Sequence, residues 1–453
     1  MSTTINNPTH DQPKKGWLFE WAPEDSSFWE SSGKSIAWKT LTVTTFCLLL
    51  AFSTWFMVSA IVVRLQGIGF QLTDKQLFWL TAMPGLAGGT LRILHTFFIP
   101  IFGTRLTVTA STVLLLIPCF GWGYVIQHPE TSYGVLMLLA FITGLGGGNF
   151  SSFMPSTSLF FPKRLQGTAL GIQAGVGNFG VSVAQFLIPW IITLSVFGAT
   201  AGSSQTFTKA GKSSQIFLQN GALIWAPFII VGTLFAWALL KSVPVKATFK
   251  EQLDIFKDKH TWAMTSLYIM TFGSFSGFSA AFPLLIKSLY GTFPGAPDPL
   301  KFAFLGPLVG AASRVLFGPI SDKWGGAKVT MLSGIGLTIC AIGVTFFTKP
   351  TSVDDFRGFL WMMLGIFFFS GVGNASTFKQ MPMIFPPRQA AGVIGWTSAI
   401  AAYGPFIFSV SISTVIAATG APTYFFYGVA AFYVFNLILN WSLYAKKGAA
   451  KPC

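Results

Sequence analysis

The sequence predicts an all-α membrane protein of twelve transmembrane helices, arranged as two pseudo-symmetric six-helix bundles. Three observations support this fold: a composition too apolar for a soluble protein, recurring apolar runs, and an internal repeat. Of the 453 residues, 52% are hydrophobic and only 9% are charged. So few charges could not cover the surface of a soluble protein of this length, which excludes a large soluble helical core.

Apolar runs of about 20 residues, each able to cross a hydrocarbon layer roughly 30 Å thick, recur along the whole chain. They predict twelve spans, at 40–64, 77–101, 106–126, 132–160, 166–197, 219–240, 262–288, 302–321, 327–347, 357–384, 390–418 and 422–445. A charged segment divides them into two sets of six. The predicted organisation is an N-terminal tail (1–38), a first bundle (39–240), a linker (241–260), a second bundle (261–445) and a C-terminal tail (446–453).

The net charge of +15 comes from short loops between spans, which argues against nucleic-acid binding. With the N-terminus inside, eighteen of the 29 Lys and Arg residues fall in cytoplasmic segments, eight fall in external loops and three lie within spans. This bias follows the positive-inside rule and predicts that both termini are cytoplasmic. Residues 1–38 lack the pattern of a cleavable signal peptide, so we expect the first span to direct insertion.

The two halves repeat at a nearly constant offset. Gly88 and Arg92 recur 222 residues later as Gly310 and Arg314. Further matches at offsets of 224 or 225 pair Gly148, Asn149, Phe161, Pro162, Arg164, Gly171 and Gly180 with Gly373, Asn374, Phe385, Pro386, Arg388, Gly395 and Gly404. In membrane carriers built from such repeats, the substrate site lies between the halves near the midplane.

Arg92 and Arg314 lie within spans, whereas none of the 14 Asp and Glu residues falls in the middle of a span. A charge in a span without a protein partner commonly faces a cavity or a ligand. Arginine presents a planar fork that binds planar oxyanions through two hydrogen bonds. The symmetric pair therefore predicts an anion site, and the alternative is that each guanidinium bonds helix carbonyls or reaches the interface.

Other residues in the spans are candidates for the wall of this site. Four aromatic residues fall in the middle of spans 1, 4 and 7: Phe52, Phe150, Tyr268 and Phe272. Asn178 and Gln173 need hydrogen-bond partners if buried, and either a substrate or a neighbouring helix could supply them. Small residues let helices approach and slide, and the runs 168–182 and 390–406 contain Gly171, Gly175, Gly177, Gly180, Gly395 and Gly404. The four scattered cysteines predict neither a metal site nor a cofactor.

Several stretches carry a family resemblance. They are WAPEDSSFWESSGKSIA (21–37), QLFWLTAMPG (76–85), the run 148–182, LYIMTFGSFSGFSAAF (267–282) and SDKWGG (321–326). The first-half counterpart of the last motif, IFGTRLT (101–107), lacks the Asp. Together the stretches resemble the nitrate/nitrite porter family of the major facilitator superfamily, of the bacterial NarK/NarU kind. The likeness covers nearly the whole chain.

The resemblance implies a major facilitator fold and a monomeric carrier of nitrate and nitrite in a bacterial inner membrane, rather than an enzyme. It implies that Arg92 and Arg314 clamp the anion and that Asn178 and the four aromatic residues shape the pocket. It also implies that the glycine-rich helices bend as the halves rock. An empty, doubly positive site would resist closing, which favours exchange over leak.

The mechanism of coupling stays open at this point. His95 and Lys379 are candidate coupling groups for proton–nitrate symport, and the alternative is that His95 bonds a helix neighbour and Lys379 reaches the inner face. Nitrate/nitrite antiport is the expected function, and transport of another small anion is a further alternative. The absence of a cysteine cluster and of histidine pairs with haem-ligand spacing argues against a redox subunit, and the repeat argues against a channel.

Overall fold

A computed structural model of the chain describes residues 16–209, 212–244, 253–449 and 451–453. Within these ranges, twelve helices are long and apolar enough to cross a membrane, which confirms the predicted fold class. Residues 1–15 of the predicted N-terminal tail, 245–252 of the predicted linker and 450 of the predicted C-terminal tail lie outside the described residues.

The first six spans, numbered in chain order, are Ser26–Ile68, Asp74–His95, Phe98–Val125, Tyr133–Phe160, Lys163–Ile191 and Asn220–Leu239. Spans 2 and 5 are each one helix over these bounds. Span 1 contains the helices Ser26–Phe28 and Lys34–Leu65, and span 3 contains Phe98–Val113 and Leu116–Val125. Span 4 contains Tyr133–Thr143, Leu145–Gly148 and Phe150–Phe160, and span 6 contains Asn220–Leu223 and Trp225–Leu239. Span 1 also contains a π-helical turn and a 3-10 turn, at Trp29–Gly33 and Gln66–Ile68.

The second six spans are Lys259–Tyr290, Pro299–Trp324, Gly326–Thr345, Asp355–Ile384, Gly392–Thr419 and Thr423–Ala445. Span 7 has a π-helical turn in its middle and span 12 has one at its end, at Ile269–Gly273 and Trp441–Ala445. Spans 9 and 10 are each one helix over these bounds. The helices of span 7 are Lys259–Tyr268 and Ser274–Tyr290, and those of span 8 are Pro299–Phe302 and Leu305–Trp324. Span 11 is formed by Pro387–Ala401 and Gly404–Thr419, and span 12 by Thr423–Asn440. A 3-10 helix, Leu253–Lys257, precedes span 7.

Gly103 marks the turn between spans 2 and 3. The helix Asp74–His95 is followed by two turn residues, 96–97, and the next helix begins at Phe98. The sharper break is at Gly103, whose φ of 74° and ψ of 167° are a backbone conformation that only glycine adopts readily. Residues 98–102 therefore continue span 2, and span 3 begins after Gly103. This position agrees with the predicted boundary between 101 and 106.

Span 1 begins before its predicted start. Its helix starts at Ser26 rather than at 40, because the Asp25 carboxylate caps it by accepting from the Ser27 and Phe28 amides at 2.7 and 3.2 Å. Trp29 is buried against Phe161, with ring centroids 5.9 Å apart. The predicted tail 1–38 therefore includes the first turns of this helix.

Span 5 ends earlier than predicted, at Ile191 rather than 197. A 3-10 helix, Gly198–Ala201, and an antiparallel hairpin follow it, with strands Gln205–Lys209 and Lys212–Ile216. The alternation of Thr206, Phe207 and Thr208 suits a strand with one packed face. That face packs on the end of span 1, where the Phe207 ring lies 4.7 Å from the Arg64 guanidinium carbon.

The repeat predicted from sequence is visible in how the helices pack. A Cβ placed on Gly180 would lie 2.3 Å from the carbonyl oxygen of Leu49 in span 1, and a Cβ on Gly404 would lie 2.3 Å from that of Gly273 in span 7. Spans 5 and 11 therefore cross spans 1 and 7 at equivalent points, with backbone against backbone. Only glycine permits this approach.

The two halves touch at the predicted external face. Arg64 at the end of span 1 forms an ion pair with Asp298 at the start of span 8, with N and O atoms 2.6 Å apart. Nearby, the Lys287 ammonium donates to the side-chain oxygen of Gln66. Ser182 of span 5 donates to the Phe304 carbonyl that precedes the helix Leu305–Trp324, at 3.1 Å. These contacts close this face.

Spans 5 and 8 diverge toward the predicted cytoplasmic face. Gly167, Gly171 and Gly175 follow one another at four-residue spacing and so share one face of span 5. A Cβ on Gly175 would lie 2.9 Å from Val315 of span 8, whereas a Cβ on Gly171 or Gly167 would meet no described residue within 4 Å. The same is true of Gly318 in span 8. The structure is therefore closed at one face and looser at the other.

Candidate anion-binding site

Arg92 is fully buried and lies where the two halves meet. Its Nε donates to the Gly147 carbonyl of span 4 at 2.8 Å, and its Nη1 donates to the Ser398 carbonyl of span 11 at 2.8 Å. Its Nη2 has no hydrogen-bond partner among the described residues. Two of the three guanidinium nitrogens thus hold the side chain in place, and the third is left to bind a ligand.

Aromatic rings surround the Arg92 guanidinium. Its central carbon lies 5.9, 5.3, 4.7 and 5.2 Å from the ring centroids of Phe52, Trp55, Phe150 and Phe272, respectively. The electron-rich ring faces attract a cation and stabilise it where water is excluded. The rings therefore help to keep Arg92 charged without a carboxylate.

Arg314 occupies the equivalent position in the second half and is 7% exposed. Its Nη1 is buried without a hydrogen-bond partner among the described residues, and its guanidinium carbon lies 4.9 Å from the Phe378 ring. The Tyr268 ring stacks on Phe272, which lies against Arg92, and its other neighbour, Phe378, lies against Arg314. This row of three rings links the two guanidiniums across the halves.

Buried neutral donors are found near the arginines, at Tyr268 and Ser398, and in the middle of span 5, at Asn178. The Tyr268 hydroxyl is fully buried next to Arg314 and Ser398, and its ring stacks on Phe272 with centroids 5.4 Å apart. The hydroxyls of Tyr268 and Ser398 and both side-chain polar atoms of Asn178 have no hydrogen-bond partner among the described residues. Buried polar groups left unpaired are costly, so these groups are suited to a bound anion.

No acidic side chain forms an ion pair with either arginine in the part of the chain that the structure describes. This agrees with the expectation from sequence that the acidic residues lie outside the middle of the spans. The protein therefore brings two buried positive charges together without neutralising them. An anion would supply the missing charge.

The two candidate coupling residues bond partners other than the arginines. His95 is buried one helical turn from Arg92, and its Nδ1 lies 2.9 Å from the Ser152 hydroxyl. Lys379 forms an ion pair with Asp322 of span 8, with Nζ and Oδ1 2.6 Å apart and side chains 39% and 60% exposed. Each residue thus has a partner from its own half. Gln173 donates to Thr44 and to the Phe153 carbonyl, so it bonds neighbouring helices.

Replacing Lys379 with glutamine is expected to change the transport rate by less than about fivefold, because an exposed ion pair contributes at most about 1 kcal/mol. The pH profile of transport should also stay the same. Initial rates of anion uptake in proteoliposomes between pH 6 and 8 would test this, with Asp322→Asn as the matched variant for the same pair. A flattened pH profile in Lys379→Gln alone would assign the lysine a coupling role.

The signature glycines divide into two groups. Gly180 and Gly404 touch the backbone of spans 1 and 7, and a Cβ on Gly177 would lie 2.8 Å from Leu48. At Gly171 a Cβ would meet no described residue within 4 Å, and at Gly395 only the Thr96 methyl group, at 4.0 Å. Gly177, Gly180 and Gly404 therefore lie at close contacts between helices. Gly171 and Gly395 lie where the two halves have room to move.

Three residues of this site are missing from the set predicted by sequence. Trp55 lies one turn after Phe52, and its indole donates to the Pro84 carbonyl at 2.8 Å, which holds the ring against Arg92. Phe378 and Ser398 are the others. Their counterparts at an offset of 224, Met154 and Ala174, differ in type, so the repeat gave no signal for them.

Comparison with known proteins identifies the family. The profile of the Major Facilitator Superfamily matches residues 43–378. A Thermus thermophilus protein named "Probable nitrate/nitrite antiporter NarK2" is 63% identical over 97% of this chain and 99% of its own length. The chain belongs to the nitrate/nitrite porter family of the major facilitator superfamily.

More distant members of this family match over similar lengths. "Nitrate/nitrite transporter NarU" of Salmonella typhimurium is 39% identical over 95% of this chain and 96% of its own length. "Nitrite extrusion protein" of Bacillus subtilis is 27% identical over 84% of this chain and 88% of its own length. This nitrate/nitrite porter is therefore a multi-pass membrane protein of a transporter family.

The fold is shared with solved structures of low sequence identity. A crystal structure of a bacterial homologue of the human lysosomal transporter Spinster superimposes with a TM-score of 0.62. The alignment covers 90% of this chain and 93% of that one, at 16% identity. At this identity the match supports the major facilitator fold alone.

Proposed function

We propose that this protein exchanges nitrate for nitrite by alternating access, taking nitrate in and releasing nitrite. One observation carries the proposal: from equivalent positions in the two halves, Arg92 and Arg314 each present a buried guanidinium nitrogen without a hydrogen-bond partner among the described residues. A planar, singly charged oxyanion matches the fork of a guanidinium. The names of the relatives support this substrate class.

The surroundings of the arginines favour a small anion. Near the two guanidiniums, Tyr268 and Ser398 offer neutral hydroxyls, and the rings of Phe150 and Phe272 flank Arg92. We also assign the buried Asn178 amide to the site. A phosphate ester would bring a second negative charge and a tetrahedral group of oxygens, which fit two guanidinium forks less well than a planar, singly charged anion does. Transport of another small anion is the alternative that remains compatible with these contacts.

Exchange follows from the balance of charge. An empty site leaves two mutually repelling guanidiniums in a dry environment, and a bound anion reduces that repulsion. The loaded protein can therefore change state more readily than the empty one. This difference favours exchange over net leak, and no proton is needed to balance the charge.

Proton–nitrate symport is the second candidate, and the contacts of the candidate coupling residues speak against it. Lys379 is paired with Asp322, and His95 shares a hydrogen bond with Ser152. A coupling group is expected to bond the substrate site directly, whereas the bonds of these two residues go to Ser152 and Asp322. The relatives named as an antiporter and as a nitrite extrusion protein also support exchange.

The proposal extends to the setting of the protein. We infer a monomer in the lipid bilayer of a bacterial inner membrane, with both termini in the cytoplasm and no enzymatic activity. The bundles 39–240 and 261–445 would rock against each other as two units, and the glycine-rich helices would move with them. Neither a cofactor nor a metal ion is part of the proposed mechanism.

The test uses purified protein in liposomes loaded with nitrite or left empty. Uptake of external nitrate should require internal nitrite and should not respond to an inward proton gradient. Uptake into empty vesicles that the gradient drives would instead indicate symport. No movement of nitrate under either condition would refute the proposed substrate.

A further inference from the structure

Two segments lie at the predicted cytoplasmic face, one leading into the long helix of span 1 and the other preceding span 7. We call them pre-span segments: 16–33 ahead of the long helix of span 1, and Leu253–Lys257 ahead of span 7. The first is fixed to its own half, because the Leu18 amide donates to the Ser242 carbonyl at 2.8 Å and the Trp21 indole donates to the Leu159 carbonyl at 3.1 Å. It therefore packs against the ends of spans 4 and 6.

The first pre-span segment binds the start of span 5 through Glu24. A Glu24 carboxylate oxygen accepts from the backbone amide of Lys163, the first residue of that helix, at 2.9 Å. Pro162 stands at the N-cap position and its side chain offers no acceptor. Glu24 thus supplies, from elsewhere in the chain, the acceptor that a helix start otherwise takes from its own cap.

The second pre-span segment also binds the start of a helix through a carboxylate, which here accepts from a side-chain amide rather than a backbone amide. Asp254 accepts from the Gln389 side-chain amide at 3.0 Å, in the first turn of the helix Pro387–Ala401. Phe256 packs edge-on against Trp396 with ring centroids 4.7 Å apart. The proline before this helix likewise provides no side-chain cap.

The two carboxylates hold equivalent helices. The Phe-Pro pair that precedes span 5 recurs before span 11 at an offset of 224. Both helices reach across to the opposite half: a Cβ on Gly175 of span 5 would lie 2.9 Å from Val315, and Tyr403, at the end of the helix Pro387–Ala401, bonds Thr90 of span 2 at 2.9 Å. Both also carry groups of the anion site, Asn178 and Ser398.

We propose that Glu24 and Asp254 are positioning residues for the change of state. Each ties the start of a crossing helix to its own half, so that span 5 moves with the first bundle and span 11 with the second. Neither residue contacts the anion site. Loss of either tie should therefore slow turnover and leave anion affinity nearly unchanged.

The experiment compares alanine and amide variants in nitrite-loaded liposomes. Glu24→Ala and Asp254→Ala should each lower the maximal exchange rate about threefold to tenfold, the range that corresponds to losing one hydrogen bond. The KM for nitrate should stay within about twofold. Glu24→Gln and Asp254→Asn keep an oxygen acceptor and should recover most of the rate. Glu20→Ala, an exposed change in the same segment, is the matched control.

Several results would overturn the proposal. A raised KM at unchanged maximal rate would place the effect at the anion site, and no change in either constant would show that the contacts play no part. If Glu24→Ala cannot be purified as a folded protein, Glu24→Asp replaces it. The shorter side chain moves the carboxylate away from the Lys163 amide by one methylene, and the same two kinetic constants are compared. The inference rests on the proposed exchange. Wild-type protein in the same liposomes tests that exchange by itself, so failure of the exchange and failure of the positioning role are distinguishable.

Discussion

Arg92→Lys and Arg314→Lys are each expected to lower kcat/KM for nitrate exchange by about 100-fold or more, although the charge is retained. A hydrogen bond to a charged group contributes about 1.5–3 kcal/mol, and lysine cannot replace the two parallel bonds of a guanidinium. The Arg92→Lys variant would also lose contacts with the Gly147 and Ser398 carbonyls that hold the arginine in place. Initial rates of exchange against nitrate concentration measure the effect.

The control for this prediction is Arg357→Lys, because Arg357 is exposed. It should exchange at the wild-type rate. Binding of nitrate to the detergent-purified variants, followed by the rise in melting temperature, separates a folded protein with a damaged site from an unfolded one. Full exchange activity in either site variant would contradict the anion clamp.

Gly180→Ala and Gly404→Ala are each expected to give a large loss of stability. In each case the new methyl group would lie 2.3 Å from a backbone carbonyl oxygen, Leu49 in one and Gly273 in the other. Because both partners are backbone atoms, no side-chain rotation can make room. Overpacking of this kind costs typically about 1–3 kcal/mol, and separating two helices costs at least the upper end of that range. The melting temperature in detergent measures it.

Gly171→Ala is the matched control on the same helix, since a Cβ there meets no described residue within 4 Å. It should melt at or slightly above the wild-type temperature, because alanine favours the helix. Equal melting temperatures for Gly180→Ala and Gly171→Ala would contradict the close contact between spans 5 and 1. A lowered exchange rate in Gly171→Ala would further show that this position closes up during the cycle.

Much of the fold was predictable because hydrocarbon thickness fixes the length of each apolar run. The turn at Gly103 lies between the predicted spans 2 and 3, and the repeat placed Arg92 and Arg314 at equivalent depth. The start of span 1 was not predictable in this way, because 26–38 is a polar stretch whose helix depends on the Asp25 cap and on burial of Trp29. The hairpin after span 5 is likewise fixed by tertiary contacts.

The site was predictable where its residues are chemically unusual for a membrane and not where they are common. Two arginines without acids stand out in any span, as does Asn178. Trp55 and Phe378 do not, because the chain has 15 Trp and 48 Phe residues. Ser398 takes part through its backbone carbonyl as well as its hydroxyl, and a backbone carbonyl is present in every residue. Only packing shows which of these groups face the arginines.

The two hydrogen bonds that Arg92 donates to backbone carbonyls affect how the protein binds its substrate from each side of the membrane. One bond goes to Gly147 in the first half and the other to Ser398 in the second, so the guanidinium bridges the halves. If the halves part at this level, Nη1 is released and becomes a further donor for the anion. The number of hydrogen bonds offered to the same ion would then differ between the two states. Half-saturating concentrations measured from the two sides of the membrane should accordingly be unequal.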